Sequence, residues 1–416
     1  MKYLFLIFFI NFLPQYAGKS LSRDGNYPKT FEDIKKEIAG YSSIAKAIID
    51  LAVHGKAQNR SYERLAVFAD TIGPRLSGSK NLDAAIKYMF SALQEDRLEN
   101  VHLEPVKVPH WERGEEFAVM LEPRNHSIAI LGLGSSIATP PEGFVSAEPQ
   151  QISFLTLLIS ICALTEDSTG CISCLLASGD RVKMGGDDYP GPLGTKVVVY
   201  LKMGAKTYPD SSSFNTVAEI VGSKYPEQIV LVSGHLDSWD VGQGAMDDGG
   251  GAFISWEALS LVKDLGLRPK RTLRLVLWTG EEQGGIGAEQ YYQLHKKNIS
   301  NFDVVMESDE GTFRPMGLAF TGTDEARDIV KEIMTLLLPI NITDIYDTAD
   351  GTDIDYWMRD GVPGASLRDD ISKYFWFHHS HGDTMTVQDP NQMNLCAAVW
   401  TVVSYVIADM KEMLPR

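Results

Sequence analysis

The chain has 416 residues, of which 44% are hydrophobic and 22% charged, the composition of a globular protein with room for one large core or two domains. Its formal net charge of −17 argues against nucleic acid or an anionic membrane as a partner, because both would repel it. We therefore expect neither partner.

The chain begins with the pattern of a secretory signal peptide. Lys2 precedes a short apolar run, Tyr3–Ile10, and small residues follow at Ala17 and Gly18. The alternative, a membrane anchor, needs about 20 apolar residues, and this run is too short. We predict a signal peptide over residues 1–18 and entry into the secretory pathway. The final compartment is then the extracellular space, the lysosome, the ER or the Golgi.

Sequons for N-glycosylation agree with that route, and they begin at Asn59, Asn125, Asn298 and Asn341. The 4 cysteines are too few for a disulfide scaffold in a chain of this length. Cys171 and Cys174 form a lone C-x-x-C pair without a second pair of ligands, which argues against a zinc finger.

Residues from the end of the signal peptide to about 96 are predicted to be helical. Thr30 and Asp33 match a capping box, and apolar residues recur at helical spacing at Ile34, Ile38 and Tyr41. A loop rich in glycine and proline, Gly73–Ser79, interrupts this region. Short strands and turns are expected from about Val101 to Gly134. Residues 140–196 show no clean period of 2 or 3.6.

From Lys196 onward, predicted strands alternate with helices. Apolar runs typical of buried strands occur at Ile229–Val232, Leu273–Trp278 and Val304–Met306. Helices are expected where apolar residues share one face: at Ile254, Ala258, Leu261 and Leu265, through Tyr291 and Leu294, and at Leu395, Val399, Val402 and Val406. This order predicts an α/β fold with a mixed, largely parallel sheet and helices on both faces.

Polar residues gather at the carboxyl ends of these predicted strands, where α/β sheets bind ligands. They are His235 and Asp237 after the first strand, Asp247 before the following helix, Glu281 and Glu282 after the second strand, Asp309 after the third, and His379 in a late loop.

Each of these residues alone has a plain structural explanation. A histidine at a strand end is commonly a polar cap, Asp247 could be a helix N-cap, and Glu281 with Glu282 could be a solvated pair. Together, so many carboxylates at one sheet edge would repel one another, and divalent cations remove that difficulty. Imidazole nitrogen combined with carboxylate oxygen favours zinc. Neighbouring histidines cannot all point inward, so we interpret His378 and His381 as loop or substrate-shaping residues.

These segments resemble the M28 family of metallopeptidases, which includes aminopeptidases and glutamate carboxypeptidases. Gly73–Ser79 and Pro109–Gly114 add to the likeness. The resemblance implies the zinc exopeptidase fold and two Zn²⁺ ions per chain. It implies that Asp247 bridges both ions, that His235 and Asp309 complete one site, and that Glu282 and His379 complete the other. It also implies that Glu281 is the general base and that Asp237 orients His235 through a hydrogen bond.

The chemistry of the residues agrees with these roles. Two metal ions can lower the pKa of a shared water, and a carboxylate free of metal must then take its proton. Glu281 adjoins a ligand but points elsewhere, since neighbouring side chains at a strand end diverge. Gly351–Asp353 resembles a loop that the family places near the substrate. Asp353 is therefore a candidate substrate-binding residue or, equally, a turn residue.

The resemblance weakens from Phe144 to Val199, where the family's longer insert is similar to a protease-associated domain. We predict the signal peptide (1–18), a propeptide (19–44), the first part of the peptidase domain (45–140), a small, truncated and divergent insert (141–200), and the metal-binding part (201–416). The resemblance also implies a homodimer and a zymogen.

The predicted function is that of a secreted, dinuclear zinc exopeptidase of the carboxypeptidase or dipeptidase type, acting on small peptides. Two alternatives remain: a plain aminopeptidase, and a non-catalytic binding module with the same fold. The second is disfavoured because such modules are expected to lose ligands or the base, and every position is filled here.

Overall fold

A computed structural model describes residues 30–132, 134–148 and 197–416. The predicted signal peptide and the Cys171–Cys174 pair lie outside the described residues. The helices are α1 (Phe31–Ala39), α2 (Ser42–Ile49), α3 (Arg60–Ile72), α4 (Lys80–Glu95), α5 (Gly250–Asp264), α6 (Ile286–His295), α7 (Asp324–Met334), α8 (Asp355–Arg359), α9 (Tyr374–Phe377) and α10 (Pro390–Asp409). The strands are β1 (Glu99–Glu112), β2 (Glu116–Glu122), β3 (His126–Ile128), β4 (Phe144–Glu148), β5 (Val197–Met203), β6 (Lys206–Ile220), β7 (Tyr225–His235), β8 (Arg271–Trp278), β9 (Phe302–Glu307), β10 (Pro315–Thr321), β11 (Asp344–Asp347) and β12 (Gly364–Asp369).

Four helices open the described part of the chain, as predicted. Thr30 caps α1 through a reciprocal pair of hydrogen bonds: its hydroxyl accepts from the Asp33 N–H at 3.3 Å, and its own N–H donates to the Asp33 carboxylate at 3.1 Å. This is the capping box that the sequence predicted. The predicted loop separates α3 from α4, and it needs glycine at Gly73 and Gly78, where φ is +72° and +76°.

The main sheet has eight strands in the order β1-β6-β8-β7-β9-β12-β10-β11. Neighbours β8, β7, β9 and β12 run parallel, whereas β1, β6 and β8 pair antiparallel. Short strands were expected from Val101 to Gly134, and this is wrong for the first half of that segment, because β1 is a single strand of 14 residues. Pro105 and Pro109 disguise it in the sequence. Both are tolerated because β1 lies at the sheet edge, where a strand pairs on one side only.

Helices cover both faces of this sheet, which confirms the predicted fold class. The larger core cluster lies between one face and helices α1 to α5, α7 and α10, and a second cluster packs α6 and α8 on the other face. The single apolar face predicted for α5 is an underestimate. Residues Gly250–Val262 are all buried, because α10 and α3 pack against its outer side.

A separate small sheet has the order β3-β2-β5-β4 and encloses its own apolar cluster of Ala118, Leu201 and Met203. Strand β4 lies within the predicted insert (141–200) and β5 crosses its end, while residues 149–196 lie outside the described residues. Arg113 joins this sheet to the main body through a bidentate ion pair with Asp240, with both N–O distances at 2.7 Å. No helix in the described ranges is long and apolar enough to cross a membrane.

Candidate metal centre

The predicted site residues meet at one edge of the main sheet. His235 ends β7, Glu281 and Glu282 follow β8, and Asp309 follows β9. Since these three strands are parallel neighbours, their carboxyl ends share one edge. Asp247 lies in the turn before α5, and His379 lies in the loop between α9 and α10. The predicted convergence of polar residues from distant parts of the chain is present in the structure.

His235 is fully buried and presents one ring nitrogen to two carboxylates. Its Nε2 lies 3.1 Å from Asp247 Oδ1 and 3.2 Å from Asp309 Oδ1. Its Nδ1 lies 3.0 Å from the backbone oxygen of Asp237, so Nδ1–H donates there. That hydrogen bond leaves the Nε2 lone pair of the neutral ring directed at the two carboxylates. Burial opposes a charged ring, but the Asp309 charge and the hydrogen bonds to Asp247 and Asp309 raise the pKa of His235 well above its usual value, so without a metal ion the ring holds a proton at Nε2. A metal ion would take the place of that proton.

Asp247 does not cap the N-terminus of α5, which was the alternative explanation for this residue. The residue next to it, Asp248, accepts the backbone N–H of Gly251 in the first turn of α5 at 2.9 Å and that of His235 at 3.0 Å. The Asp247 carboxylate instead faces the imidazoles. Its Oδ2 lies 3.3 Å from the Nε2 atoms of both His378 and His379.

Glu282 and His379 form the other side of the cluster, with Glu282 Oε2 3.0 Å from His379 Nε2. The other carboxylate oxygen of Glu282, Oε1, is buried and accepts no hydrogen bond from any described residue. The expectation that neighbouring histidines do not all point inward is wrong for His378, which the sequence indicates as a loop or substrate-shaping residue. His379 has a φ of +54°, so the backbone turns and stacks the two rings 3.5 Å apart. His381 is exposed, in line with a loop role.

The cluster contains three groups of three residues, and within each group the potential ligand atoms all lie within 4.8 Å of one another. The groups are His235, Asp247 and Glu282; His235, Asp248 and Asp309; and Asp247, His378 and His379. The five predicted ligands are all included. Asp247 and His235 each belong to two groups, as expected where neighbouring metal sites share residues. The nitrogen and oxygen donors and the unpartnered Glu282 Oε1 fit zinc.

Glu281 lies beside this ligand set, with Oε2 3.7 Å from His235 Nε2. Asp237 holds it there: the two oxygens of Asp237 accept the backbone N–H groups of Glu281 and Glu282 at 3.1 and 3.3 Å. This differs from the predicted role. The Asp237 carboxylate lies 3.8 Å from His235 Nδ1, and it is the Asp237 carbonyl that orients the imidazole.

Burial dominates the electrostatics of the metal-free cluster. Burial raises the pKa of Glu282, and the negative charge of Asp247 helps to bring it to about 8. Burial also raises the pKa of Glu281 well above its usual value; the His235 ring opposes this, and the Asp309 charge adds to it. For His379, burial lowers the pKa, but hydrogen bonds to Asp247 and Glu282 outweigh it and raise the value to about 10. Such shifts mark a group of carboxylates in need of cations.

Sequence reasoning missed Asp383, which lies four residues after His379 and braces the other ligand loop. Its carboxylate accepts the backbone N–H of Met246 at 2.7 Å and that of Asp247 at 3.2 Å. Its backbone oxygen accepts the N–H of Gln243 at 2.6 Å. The only signal in the sequence is its place in the histidine-rich loop.

Asp353 lies in the loop behind Glu281. Its backbone N–H donates to Glu307 Oε2 at 3.0 Å, and its carboxylate oxygens are buried with no hydrogen bond to any described residue. Burial raises the pKa of Asp353 well above its usual value, and the charge of Glu307 adds to this. The carboxylate does not reach the solvent, and its role in substrate binding stays a prediction.

The sequons differ in accessibility. Asn125, Asn298 and Asn341 are exposed. Asn59 is partly buried, and its side-chain oxygen accepts a hydrogen bond from Asn394 Nδ2 at 2.9 Å.

Comparison with known proteins agrees with this geometry. The profile of peptidase family M28 matches residues 215–404. Carboxypeptidase Q from Homo sapiens is 58% identical over 471 positions that cover 100% of both chains. Carboxypeptidase Q from Xenopus laevis is 61% identical over 442 positions, covering 93% of this chain and 94% of the relative. An alignment of 471 positions exceeds the 416 residues of this chain by 55, so at least 55 positions face a gap here.

Solved structures show the same fold. A peptidase M28 precursor from Shewanella amazonensis SB2B superposes with a TM-score of 0.78 at 26% identity, covering 91% of this chain and 99% of that chain. A zinc aminopeptidase from Bacillus subtilis superposes with a TM-score of 0.60 at 16% identity, covering 86% and 99%.

Proposed function

The chain belongs to peptidase family M28 and is a metallopeptidase, and we propose that it is a secreted exopeptidase that uses two zinc ions and Glu281 to hydrolyse small peptides. In this proposal Asp247 would contribute to both sites, His235 and Asp309 would hold one ion, and Glu282 and His379 would hold the other.

The observation that supports it most is the environment of His235. Its Nδ1–H is fixed by the Asp237 carbonyl, so the Nε2 lone pair faces the oxygens of Asp247 and Asp309 at 3.1 and 3.2 Å. Without a metal ion the ring must hold a proton at Nε2 to face these oxygens, whereas with zinc both oxygens and the nitrogen are ligands. The sharing of Asp247 between two groups of ligand atoms supports two ions rather than one.

Glu281 is then the proton carrier. When bound, zinc ions supply Lewis-acid chemistry, making a water acidic and polarising the scissile carbonyl. The Glu281 carboxylate takes the proton of the attacking water and passes it to the nitrogen of the leaving amine. Asp237 keeps Glu281 in reach by accepting its backbone N–H.

The finer parts of the proposal concern substrate and location. The relatives named carboxypeptidase Q favour release of a residue from the carboxyl end of a short peptide or dipeptide. We extend the proposal to a signal peptide over residues 1–18, a propeptide over 19–44, glycosylation at exposed sequons and a homodimer.

The deciding experiment measures zinc per chain in the purified protein together with hydrolysis of three substrates: an unblocked dipeptide, an N-acylated dipeptide and a dipeptide amide. We expect about two zinc ions per chain, with cleavage of the unblocked dipeptide that a chelator abolishes. Cleavage of the N-acylated substrate indicates a carboxypeptidase, and cleavage of the amide an aminopeptidase. Two zinc ions without any cleavage would favour the binding module, and folded protein without zinc would refute the site.

A further inference from the structure

Arg75 is a fully buried arginine that lies beneath the metal centre and has no assigned role. Arg75 is 0% exposed, and the hydrogen-bond partners of its guanidinium among the described residues are backbone oxygens. Burying a guanidinium without a direct counter-ion is costly, so such a residue is expected to have a specific task.

The guanidinium binds backbone carbonyls of the two loops that carry metal ligands. Nε donates to the oxygen of Leu236, the residue after His235, at 2.6 Å. Nη1 donates to the oxygen of Gln243 at 2.6 Å, and Nη2 to that of Gly244 at 2.8 Å, just before Asp247. One rigid fork therefore fixes the distance between the loop after β7 and the loop before α5.

The backbone of Arg75 strengthens the same connection. Its N–H donates to Ser238 Oγ at 2.9 Å, and its carbonyl accepts the N–H of Ser238 at 3.2 Å. The packing leaves no slack, because a Cβ on Gly244 would lie 2.4 Å from Ser238 Cβ and 2.8 Å from Arg75 Nη2. The positive charge also faces the carboxylates of Asp237, Asp248, Glu282 and Asp383, which it attracts.

We propose that Arg75 is a positioning residue that sets the separation of His235 from Asp247 and thereby prepares the metal centre to bind two ions. This inference rests on the proposed function. It assigns to the loop Gly73–Ser79 a task in metal binding, although no residue of that loop is a ligand.

Arg271 provides a matched control. It is 1% exposed and likewise donates to backbone carbonyls, those of Met410 at 2.7 Å and Lys411 at 3.3 Å. Unlike Arg75, it also forms an ion pair with Asp303 at 3.3 Å, and it anchors the C-terminal segment. Arg75→Lys and Arg271→Lys each keep a positive charge and lose the fork. Both should lower the unfolding temperature, so stability alone does not distinguish a positioning role from a structural one.

The test is zinc affinity. Metal-free wild type, Arg75→Lys and Arg271→Lys, each checked for native circular dichroism, are titrated with zinc against a chromophoric chelator. We expect Arg75→Lys to bind at least one zinc equivalent about tenfold or more weakly than wild type, the range seen when groups supporting ligands are removed. The zinc affinity of Arg271→Lys should stay within about threefold of the wild-type affinity, which is well below a tenfold change.

Binding of both equivalents by Arg75→Lys with wild-type affinity would overturn the proposal. If Arg75→Lys does not fold, Ser238→Ala replaces it, because that change removes the acceptor of the Arg75 N–H, together with the hydrogen bond that the Ser238 hydroxyl donates to the Trp239 carbonyl. Weaker zinc binding by Ser238→Ala supports the role, and unchanged binding overturns it. Failure of the wild type itself to bind zinc would instead refute the proposed function.

Discussion

The residue Asp237 divides two tasks between its backbone and its side chain. The carbonyl fixes the tautomer of His235, and the carboxylate accepts the N–H groups of Glu281 and Glu282. A single residue thus sets the orientation of a ligand and of the proposed base at once. Loss of the Asp237 side chain should displace Glu281 without changing the hydrogen bond between the Asp237 carbonyl and His235.

Also at the scale of single residues, Glu281→Gln tests whether Glu281 acts as the base and not as a metal ligand. The amide keeps the shape of the side chain but cannot take a proton, so turnover should fall by at least about 10² while the zinc content stays at the wild-type value. Steady-state hydrolysis and metal analysis of the same sample check this. Glu289→Gln, an exposed change in α6, is the control. Near-wild-type turnover of Glu281→Gln would contradict the assignment.

Asp383→Asn tests the brace between the two ligand loops. The amide retains one acceptor oxygen but turns an NH₂ group towards a backbone N–H, either that of Met246 or that of Asp247. We expect destabilisation of about 1.5–3 kcal/mol and weaker zinc binding, measured by urea unfolding and chelator competition.

The control for this change is Asp389→Asn at the N-cap of α10, where the carboxylate also accepts backbone N–H groups. Asparagine is an equally good N-cap, so little change is expected there. Equal effects at both positions would argue against a special role for Asp383.

Four of the five proposed ligand positions could be predicted from the sequence because each follows a recognisable strand or precedes a helix, whereas His379 lies in a late loop. The inward position of His378 could not, since it depends on the positive φ of His379. Arg75 and Asp383 were also hidden, because both act on backbone atoms of loops that are distant in sequence.

Among the elements, β1 and α6 are joined by one carboxylate between two histidines. Glu104 lies 3.0 Å from His295 Nε2 and 3.4 Å from His102 Nε2. Burial would raise the pKa of Glu104, but the hydrogen bonds and charges of the two histidines outweigh it and lower the pKa to about 2. The hydrogen bond to Glu104 raises the pKa of His102, although burial opposes it.

This cluster predicts a pH-dependent contribution to stability. A depressed carboxylate pKa stabilises the fold above pH 4.5, and that part is lost as the pH falls from 4.5 towards about 2. A raised histidine pKa stabilises the fold below 6.5, and that part is lost as the pH rises through the raised value. Glu104→Gln should therefore be most destabilising between about pH 4.5 and 6.5, by on the order of 1–3 kcal/mol.

Urea unfolding of the wild type and Glu104→Gln at about pH 3, 5.5 and 8.5 checks this. Only the middle pH lies inside the window, and the other two lie more than about one unit outside it. The control is Glu112→Gln, since Glu112 also lies beside a histidine, His110, but its side chain is 55% exposed. A deficit for Glu104→Gln that does not vary with pH would contradict the ion-pair explanation.

The elements themselves were predictable where the apolar period was clear, as in β7, β8, β9 and α10. The length of β1 was not, because its two prolines resemble strand breaks unless the strand is known to lie at the edge. The all-round burial of α5 follows from which helices pack over it, and such tertiary contacts leave no periodic pattern in a single sequence.

For the whole molecule, α1 belongs to the folded body even though it lies within the predicted propeptide. Ile38 is fully buried in the main core, and the Tyr41 hydroxyl donates to the backbone oxygen of Asp409 at 2.6 Å. Ile38→Ala should destabilise the protein by about 2–5 kcal/mol, and Phe31→Ala, at an exposed position, by much less.

Comparing the full chain with a variant that starts at Ala45 extends this test. If residues before Ala45 stabilise the body, removal lowers the unfolding midpoint in urea while the ligands, all after residue 234, keep their places. An unchanged midpoint would mean that the contacts of α1 add nothing to stability.

Helix α10 lies at the centre of the core, with Trp400 fully buried and its Nε1–H donating to Ser255 Oγ of α5 at 2.9 Å. Yet it is the last of the described helices in chain order, so it leaves the ribosome after the elements that it covers. Until α10 has been synthesised, α5 and one face of the main sheet therefore expose the apolar surface that α10 buries in the folded protein, and chaperones would have to shield that surface. A premature stop codon between His379 and Pro390 would spare every proposed ligand and still leave a chain unable to close its core.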